Sequence, residues 1–333
     1  MIGSILDTVL DRSVVGGYTR LGYRLRSPWW DDGPDSSMAG KVVLITGATS
    51  GLGLAAATGF ARLGASVHLL ARDASRGEDA RATVAEQAQG GEVRLELCDL
   101  AQLESVREFA QRFTATTPRL DVLVNNAGVM TSERTLSADG IELTFAVNVV
   151  AGFLLTEQLL GPLRAPALGR IVNVSSGGMY TQRLDTDDLR SEHNFDGTAA
   201  YARSKRAQVI LTEMWAQRLA AASVVVHAMH PGWADTPGVR SSLPRFYRLT
   251  RPLLRTPAQG ADTIVWLGSA RSPGASSGRF WHDRAQRPAY LLPGTRESQA
   301  DRERLWTQCE RLAGTGSLPA EYGLEPNLGP IAG

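Results

Sequence analysis

The run "KVVLITGATSGLGLAAATGFARLG", residues 41–64, constrains the fold more than any other stretch of the 333-residue chain. Its first six residues are an apolar, β-branched run too short for a surface helix, which predicts a buried parallel strand. Gly47, Gly51 and Gly53 follow in G-x-x-x-G-x-G spacing, and a helical stretch then closes at Gly64. Glycines at such a turn let the backbone reverse sharply and approach a pyrophosphate, which rests on the N-terminus of the next helix. Three glycines alone show only a tight turn. Between a strand and a helix that open a β/α series, they predict a dinucleotide site.

The series continues. Residues 66–71, 93–98, 120–125, 169–176 and 223–229 read as further strands, with a short seventh at 278–282. Helical stretches cover 73–89, 102–116, 141–160 and 199–222. Strands alternating with helices of this length predict a single α/β domain built on a doubly wound parallel sheet with helices on both faces. We place it at residues 38–295, after an N-terminal helix and linker at 1–37 and before a C-terminal helix and tail at 296–333. Ile2, Ile5, Leu6, Val9, Leu10, Val14, Tyr18, Leu21 and Leu25 fall at helical spacing. Such a helix lies on a membrane surface or packs on its own domain or a partner subunit, and packing is the preferred reading.

Composition removes several classes of function. A net charge of +1 gives no basic field for nucleic acid, and 43% hydrophobic with 21% charged residues suits a chain with a real core. Cys98 and Cys309 make neither a disulfide framework nor a metal cluster, and suit a reducing, cytoplasmic setting. No run approaches the roughly 18 apolar residues of a membrane-spanning helix. His230, before Pro231, reads as structural, and His193 as an exposed residue with no second ligand at metal spacing, so no metal is expected.

The end of the second strand selects the dinucleotide. A carboxylate there would bond the adenosine ribose and repel a 2′-phosphate. The chain reads "LLARD": Arg72 offers a bidentate donor fork, and Asp73 comes one place late, where it can cap the next helix. NADP(H) is favoured over NAD(H).

Lysine usage points to the chemistry. Only two of the 35 Lys and Arg residues are lysines, Lys41 and Lys205, and Lys205 stands four places after Tyr201. On a helix that spacing puts both side chains on one face. A free phenol titrates near pH ~10, and an ammonium a few ångströms away lowers that value toward general acid–base use. A hydroxyl from the neighbouring strand end, Ser175 or Ser176, stands ready to bond the same substrate oxygen.

Taken together, "TGATSGLG", "NNAG", "VNVSS", "YARSK" and "PGWADT" resemble the short-chain dehydrogenase/reductase (SDR) family, a Rossmann-type fold, over about residues 41–280. By that resemblance Tyr201 is the proton donor or acceptor, Lys205 lowers its pKa and holds the nicotinamide ribose, and Ser176 orients the substrate carbonyl. Asn148 matches the helix asparagine that supports a water-linked proton relay. The resemblance puts Ser50 and Leu52 with the glycines around the phosphates, and Asp99 and Leu100 near the adenine. Asn126, Ala127 and Gly128 line the adenosine side, while Pro231, Gly232 and Thr236 hold the nicotinamide carboxamide. It also implies pairing through the two long helices into a homodimer or homotetramer.

The serine and tyrosine stand further apart than in the shortest members, and the insertion at 177–198 resembles that of a retinol-dehydrogenase-like branch. Together with the loop at 232–257 it is expected to roof the cleft, with Met179, Tyr180, Trp233 and Phe246 as apolar walls for a small lipophilic substrate. The expected function is NADP(H)-dependent hydride transfer between a lipophilic carbonyl and its alcohol. A cofactor-binding regulator or scaffold without turnover is the alternative, and Asn148, Ser176, Tyr201 and Lys205 together argue against it.

Overall fold

The computed structural model describes residues 7, 10, 11, 13–30, 33, 37–291 and 294–315. Its centre is an eight-stranded sheet ordered β3-β2-β1-β4-β5-β6-β7-β8. The strands are β1 (Val42–Thr46), β2 (Ser66–Ala71), β3 (Val93–Leu97), β4 (Val122–Asn125), β5 (Gly169–Val174), β6 (Val224–Met229), β7 (Arg279–His282) and β8 (Ala285–Arg287). The first seven run parallel, and β8 turns back antiparallel on β7. The β-branched runs fill the interior strands because both of their faces are covered. Val43, Leu44, Ile45, Val67 and Leu69 are fully buried.

Two apolar clusters lie on opposite faces of the sheet. One gathers the Gly51–Arg62 and Pro257–Ser269 helices; the other gathers the Leu103–Thr116, Ala151–Gln158 and Gly197–Arg218 helices. Strand–helix alternation does not announce the Pro257–Ser269 helix or β8. Pro257 at the first helical position and a complete Thr256–Gln259 capping box are the local signals that mark this helix.

Other elements differ in extent. Asp73 is the cap of the Ala74–Ala85 helix, which stops short of residue 89. The expected 141–160 helix starts at Leu143, passes through a π-turn at Ala146–Val150 and continues to Gln158. In the N-terminal region, residues 1–6, 8, 9 and 12 of the expected helix lie outside the described residues. Past them the helix breaks at Thr19 into Val14–Tyr18 and Arg20–Arg26. Both pieces pack on the chain's own domain: Arg26 is buried, bonding the Gly17 carbonyl and Asp283. At the other end, the Gln299–Ala313 helix seats Trp306 between Phe153 and Trp215. The expected tail from 316 lies outside the described residues. None of the described helices is long and apolar enough to cross a membrane.

Candidate active site

The strand order reverses between β1 and β4, and the crevice at the carboxyl ends of those strands is where an open parallel sheet binds its ligand. The glycine turn leaves β1 here. Gly47 and Gly51 take positive φ, 65° and 55°, which explains glycine at both. A Cβ on Gly53 would overlap the Gly47 carbonyl and stand 2.6 Å from Asn126 Nδ2, so the helix meets the turn only with bare backbone there. The Thr46 hydroxyl accepts from the backbone N–H groups of Asn126 and Ala127, each at 2.9 Å. Asn126 Nδ2 in turn donates to Thr46 O at 2.8 Å. The two strand ends are thus locked to each other around the crevice. Ser50 is the N-cap and Leu52 begins to pack beside Pro257–Ser269 residues, Gly260 among them.

After β3, the Asp99 carboxylate accepts from Ala101 N–H at 3.0 Å, and Leu100 packs against the core. Arg72 is exposed at the end of β2, with no ion pair among the described residues. Asp73 turns away to accept from Arg76 N–H at 2.8 Å. The residues therefore fit a dinucleotide: an unobstructed glycine turn at a helix N-terminus, and a cation where the ribose would lie.

The catalytic candidates converge on the end of β5. Asn148 sits in the π-turn, its Oδ1 accepting from Val129 N–H at 2.8 Å and its Nδ2 donating to Val129 O and Ser204 Oγ. A π-turn re-aims backbone carbonyls, and that of Asn148 accepts from Gln208 Nε2 at 2.7 Å. Of the two serines, Ser175 is buried with its Oγ donating to the Lys205 carbonyl at 2.9 Å. The Ser176 Oγ instead accepts from Gly178 N–H at 3.2 Å and is left free of the Lys205 carbonyl. Lys205 is buried, its Nζ donating to Val174 O at 2.8 Å and standing 5.6 Å from the Tyr201 ring centre. Gly128 passes so close that a Cβ there would lie 3.2 Å from Lys205 Nζ and 3.4 Å from Asn148 Oδ1.

The electrostatics depart from expectation. Burial pushes the Tyr201 phenol above its ordinary value, and the Ser176 hydrogen bond offsets only part of that. Burial also holds Lys205 down to about 7. Burial, the largest cause on both groups, acts against the depression of Tyr201 expected from Lys205.

The loop after β6 carries Pro231, Gly232 and Thr236. Gly232 has φ 71°, and the Thr236 hydroxyl accepts from Val239 N–H, capping the Pro237–Ser242 helix. Trp233 and Phe246 meet edge to face at 5.0 Å, both partly exposed. Met179 and Tyr180 do not line the cleft. Met179 is fully buried, and Tyr180 packs on Phe280 with its hydroxyl donating to Pro288 O. The 3₁₀ turn at Gly177–Thr181 rotates both into the interior.

Sequence reasoning missed Arg255 and Gln208, and read Tyr18 only as one of the residues at helical spacing. Tyr18 packs against Gly177 and Trp233, while Arg255 bonds the carbonyls of Gly17, Tyr18 and Pro231. Tyr18 and Arg255 lie 237 residues apart, and no local pattern could have joined them.

A family model described as short chain dehydrogenase matches residues 41–245. The chain belongs to the short-chain dehydrogenase family. Dehydrogenase/reductase SDR family member 12 from Bos taurus is 42% identical over 300 residues, covering 89% of this chain and 94% of that one. Retinol dehydrogenase 14 from Mus musculus is 38% identical, with 85% and 88% covered. Among solved structures, the RhlG/NADP active-site complex of Pseudomonas aeruginosa superposes with a TM-score of 0.61 at 25% identity, covering 74% and 96%. As a member of the short-chain dehydrogenase family on the retinol-dehydrogenase-like branch, the chain is a hydride-transferring oxidoreductase acting on CH–OH groups.

Proposed function

We propose that the chain is an NADP(H)-dependent carbonyl reductase or alcohol dehydrogenase for a lipophilic substrate, with Tyr201 as the proton-transferring group. The observation that carries this reading is Lys205 Nζ, tied to the Val174 carbonyl at the end of β5 and 5.6 Å from the Tyr201 ring centre, with Ser176 following on the same strand end. Ser176 would hold the substrate oxygen in place. Tyr201, protonated at neutral pH, would donate to that oxygen during reduction and take the proton back during oxidation. Lys205, hydrogen-bonded to the Val174 carbonyl, would hold the ribose side and relay a proton to the phenol. Asn148 fixes the Val129 backbone and the Ser204 hydroxyl behind them. When bound, NADP(H) supplies or accepts the hydride.

The glycine turn with Asp99, Leu100, Asn126, Ala127 and Gly128 would take the adenosine and phosphate part. Pro231, Gly232 and Thr236 would take the carboxamide, and Arg72 the 2′-phosphate. Trp233 and Phe246 remain as apolar walls. The RhlG structure is an NADP complex, and several relatives are retinol dehydrogenases; these support the cofactor and the lipophilic substrate class respectively. Peripheral membrane contact is part of this reading, because Val15, Leu21 and Trp29 are each more than half exposed beside Arg20 and Arg24. A cytoplasmic setting is kept from the two buried free cysteines.

The test is a titration and a turnover assay with NADPH against carbonyl panels. Tyr201→Phe should lower turnover by at least ~100-fold while NADPH binding stays measurable. Turnover retained in that variant would sink the mechanism.

A further inference from the structure

The N-terminal segment crosses the molecule to reach the cleft. The Tyr18 carbonyl accepts from Trp233 N–H at 2.8 Å and from Arg255 Nε at 3.0 Å, and the Gly17 carbonyl accepts from Arg255 NH2 at 2.8 Å. Arg255 is 1% exposed and also donates to Pro231 O and Asp283. Trp233 O accepts from Arg255 N–H, and Asp235 N–H donates to Arg255 O, so the 231–235 loop is gripped from both sides.

The Tyr18 ring extends the grip across the cleft. A Cβ on Gly177 would stand 2.6 Å from Tyr18 Cε2. The ring also lies edge-on to His230 at 4.5 Å and to Trp233 at 6.3 Å. One side chain therefore touches the residue after Ser176 and the loop after β6, whose separation sets the width of the site. Arg26 fastens this segment from behind, bonding the Gly17 carbonyl and Asp283, and Asp7 bonds both Arg26 and Arg287.

We infer that residues 17–19 are a positioning strap: they set the 231–235 loop against the Ser176–Gly178 turn and so orient the nicotinamide end of the dinucleotide. This rests on the function proposed above, and it assigns a role to residues outside the family match at 41–245. Tyr18 acts through Gly177 and Trp233 and is a positioning residue.

The strap predicts a difference between two ligands that share an adenosine end. Binding of NADPH and of 2′-phospho-ADP-ribose, which lacks the nicotinamide, is measured on the full chain and on Tyr18→Gly. The variant should bind NADPH at least fivefold more weakly, with 2′-phospho-ADP-ribose within twofold of wild type. Tyr18→Phe, which keeps the ring, should restore NADPH binding. Gly177→Ala, which pushes on the ring from the other side, should reproduce the Tyr18→Gly pattern. A general loss of folding would move both ligands together, and that result, or unchanged NADPH binding in both Tyr18→Gly and Gly177→Ala, overturns the strap. If NADH binds the wild-type chain more tightly, NADH and ADP-ribose form the test pair. Failure of the wild-type chain to bind any dinucleotide would remove the underlying function instead.

Discussion

Lys205 holds its position under opposing demands. It lies 5.6 Å from the Tyr201 ring centre, as the proposed chemistry requires, yet burial holds its pKa down to about 7, below the ordinary 10.5. In the unfolded chain the amine keeps its proton up to the ordinary value. Between pH 7 and 10.5 the unfolded state therefore binds more protons, and this residue's contribution to stability rises with pH across that window. Below about pH 7 the full penalty is present. Lys205→Met should then melt higher than the wild type at neutral pH, with the gap narrowing steadily toward about pH 9.5 in thermal unfolding; a constant gap would contradict the buried geometry. Arg72 makes a separate prediction. Replacing it with Ala should weaken NADPH by about tenfold, on the order of the 1–2 kcal/mol of a charge-assisted bond, and leave NADH unchanged in a fluorescence titration. Tyr201 and Lys205 were legible because they share a helix face. Ser176 needed a pattern to separate it from Ser175, and the two differ physically: the Ser175 hydroxyl is consumed by the Lys205 carbonyl, while the Ser176 hydroxyl accepts from Gly178 N–H.

At the scale of elements, the glycine turn shows how closely helix and strand are fitted. Gly53→Ala would drive a methyl into the Gly47 carbonyl, so the helix must tilt or the turn must open. We expect a destabilisation of about 1–3 kcal/mol by denaturant unfolding, as for overpacking elsewhere, together with loss of dinucleotide binding. The alternation of strand and helix was readable because every central strand is buried on both faces and uses β-branched residues. The π-turn at Asn148 was not, since a one-residue change of helical register leaves no mark on apolar spacing. Met179 and Tyr180 misled for a related reason. An aromatic close after Ser176 reads as cleft lining, but the 3₁₀ turn sends both side chains into the interior against Val209, Ala228 and Phe280.

At the scale of the whole molecule, the Gln299–Ala313 helix lies on the two long helices through which family resemblance implied pairing. Trp306 and Cys309 are buried there, with Arg218 stacked 3.6 Å over the Trp306 ring. A partner using that face would have to displace the helix and expose this aromatic cluster. Any dimer that light scattering finds at micromolar concentration should therefore fail to cross-link through the Gly197–Arg218 helix, unless Trp306→Ala has released the covering helix. A wild-type dimer cross-linked there would refute this. Sequence alone offered the C-terminal helix but not its docking site, because Trp306 and Phe153 come together only once the sheet has formed.

The contact of Arg26 with Asp283 spans 257 residues, and that of Arg255 with Gly17 spans 238. Loops of that length close late, after the local β/α units have found one another. A nascent chain emerging from the ribosome would have its glycine turn and its Tyr201–Lys205 helix in place well before Asp283 is made. With residues 17–19 acting as the proposed strap, the cleft would reach its final width only once β7 and the turn after it had been synthesised, and the proposed chemistry would wait on completion of the sheet.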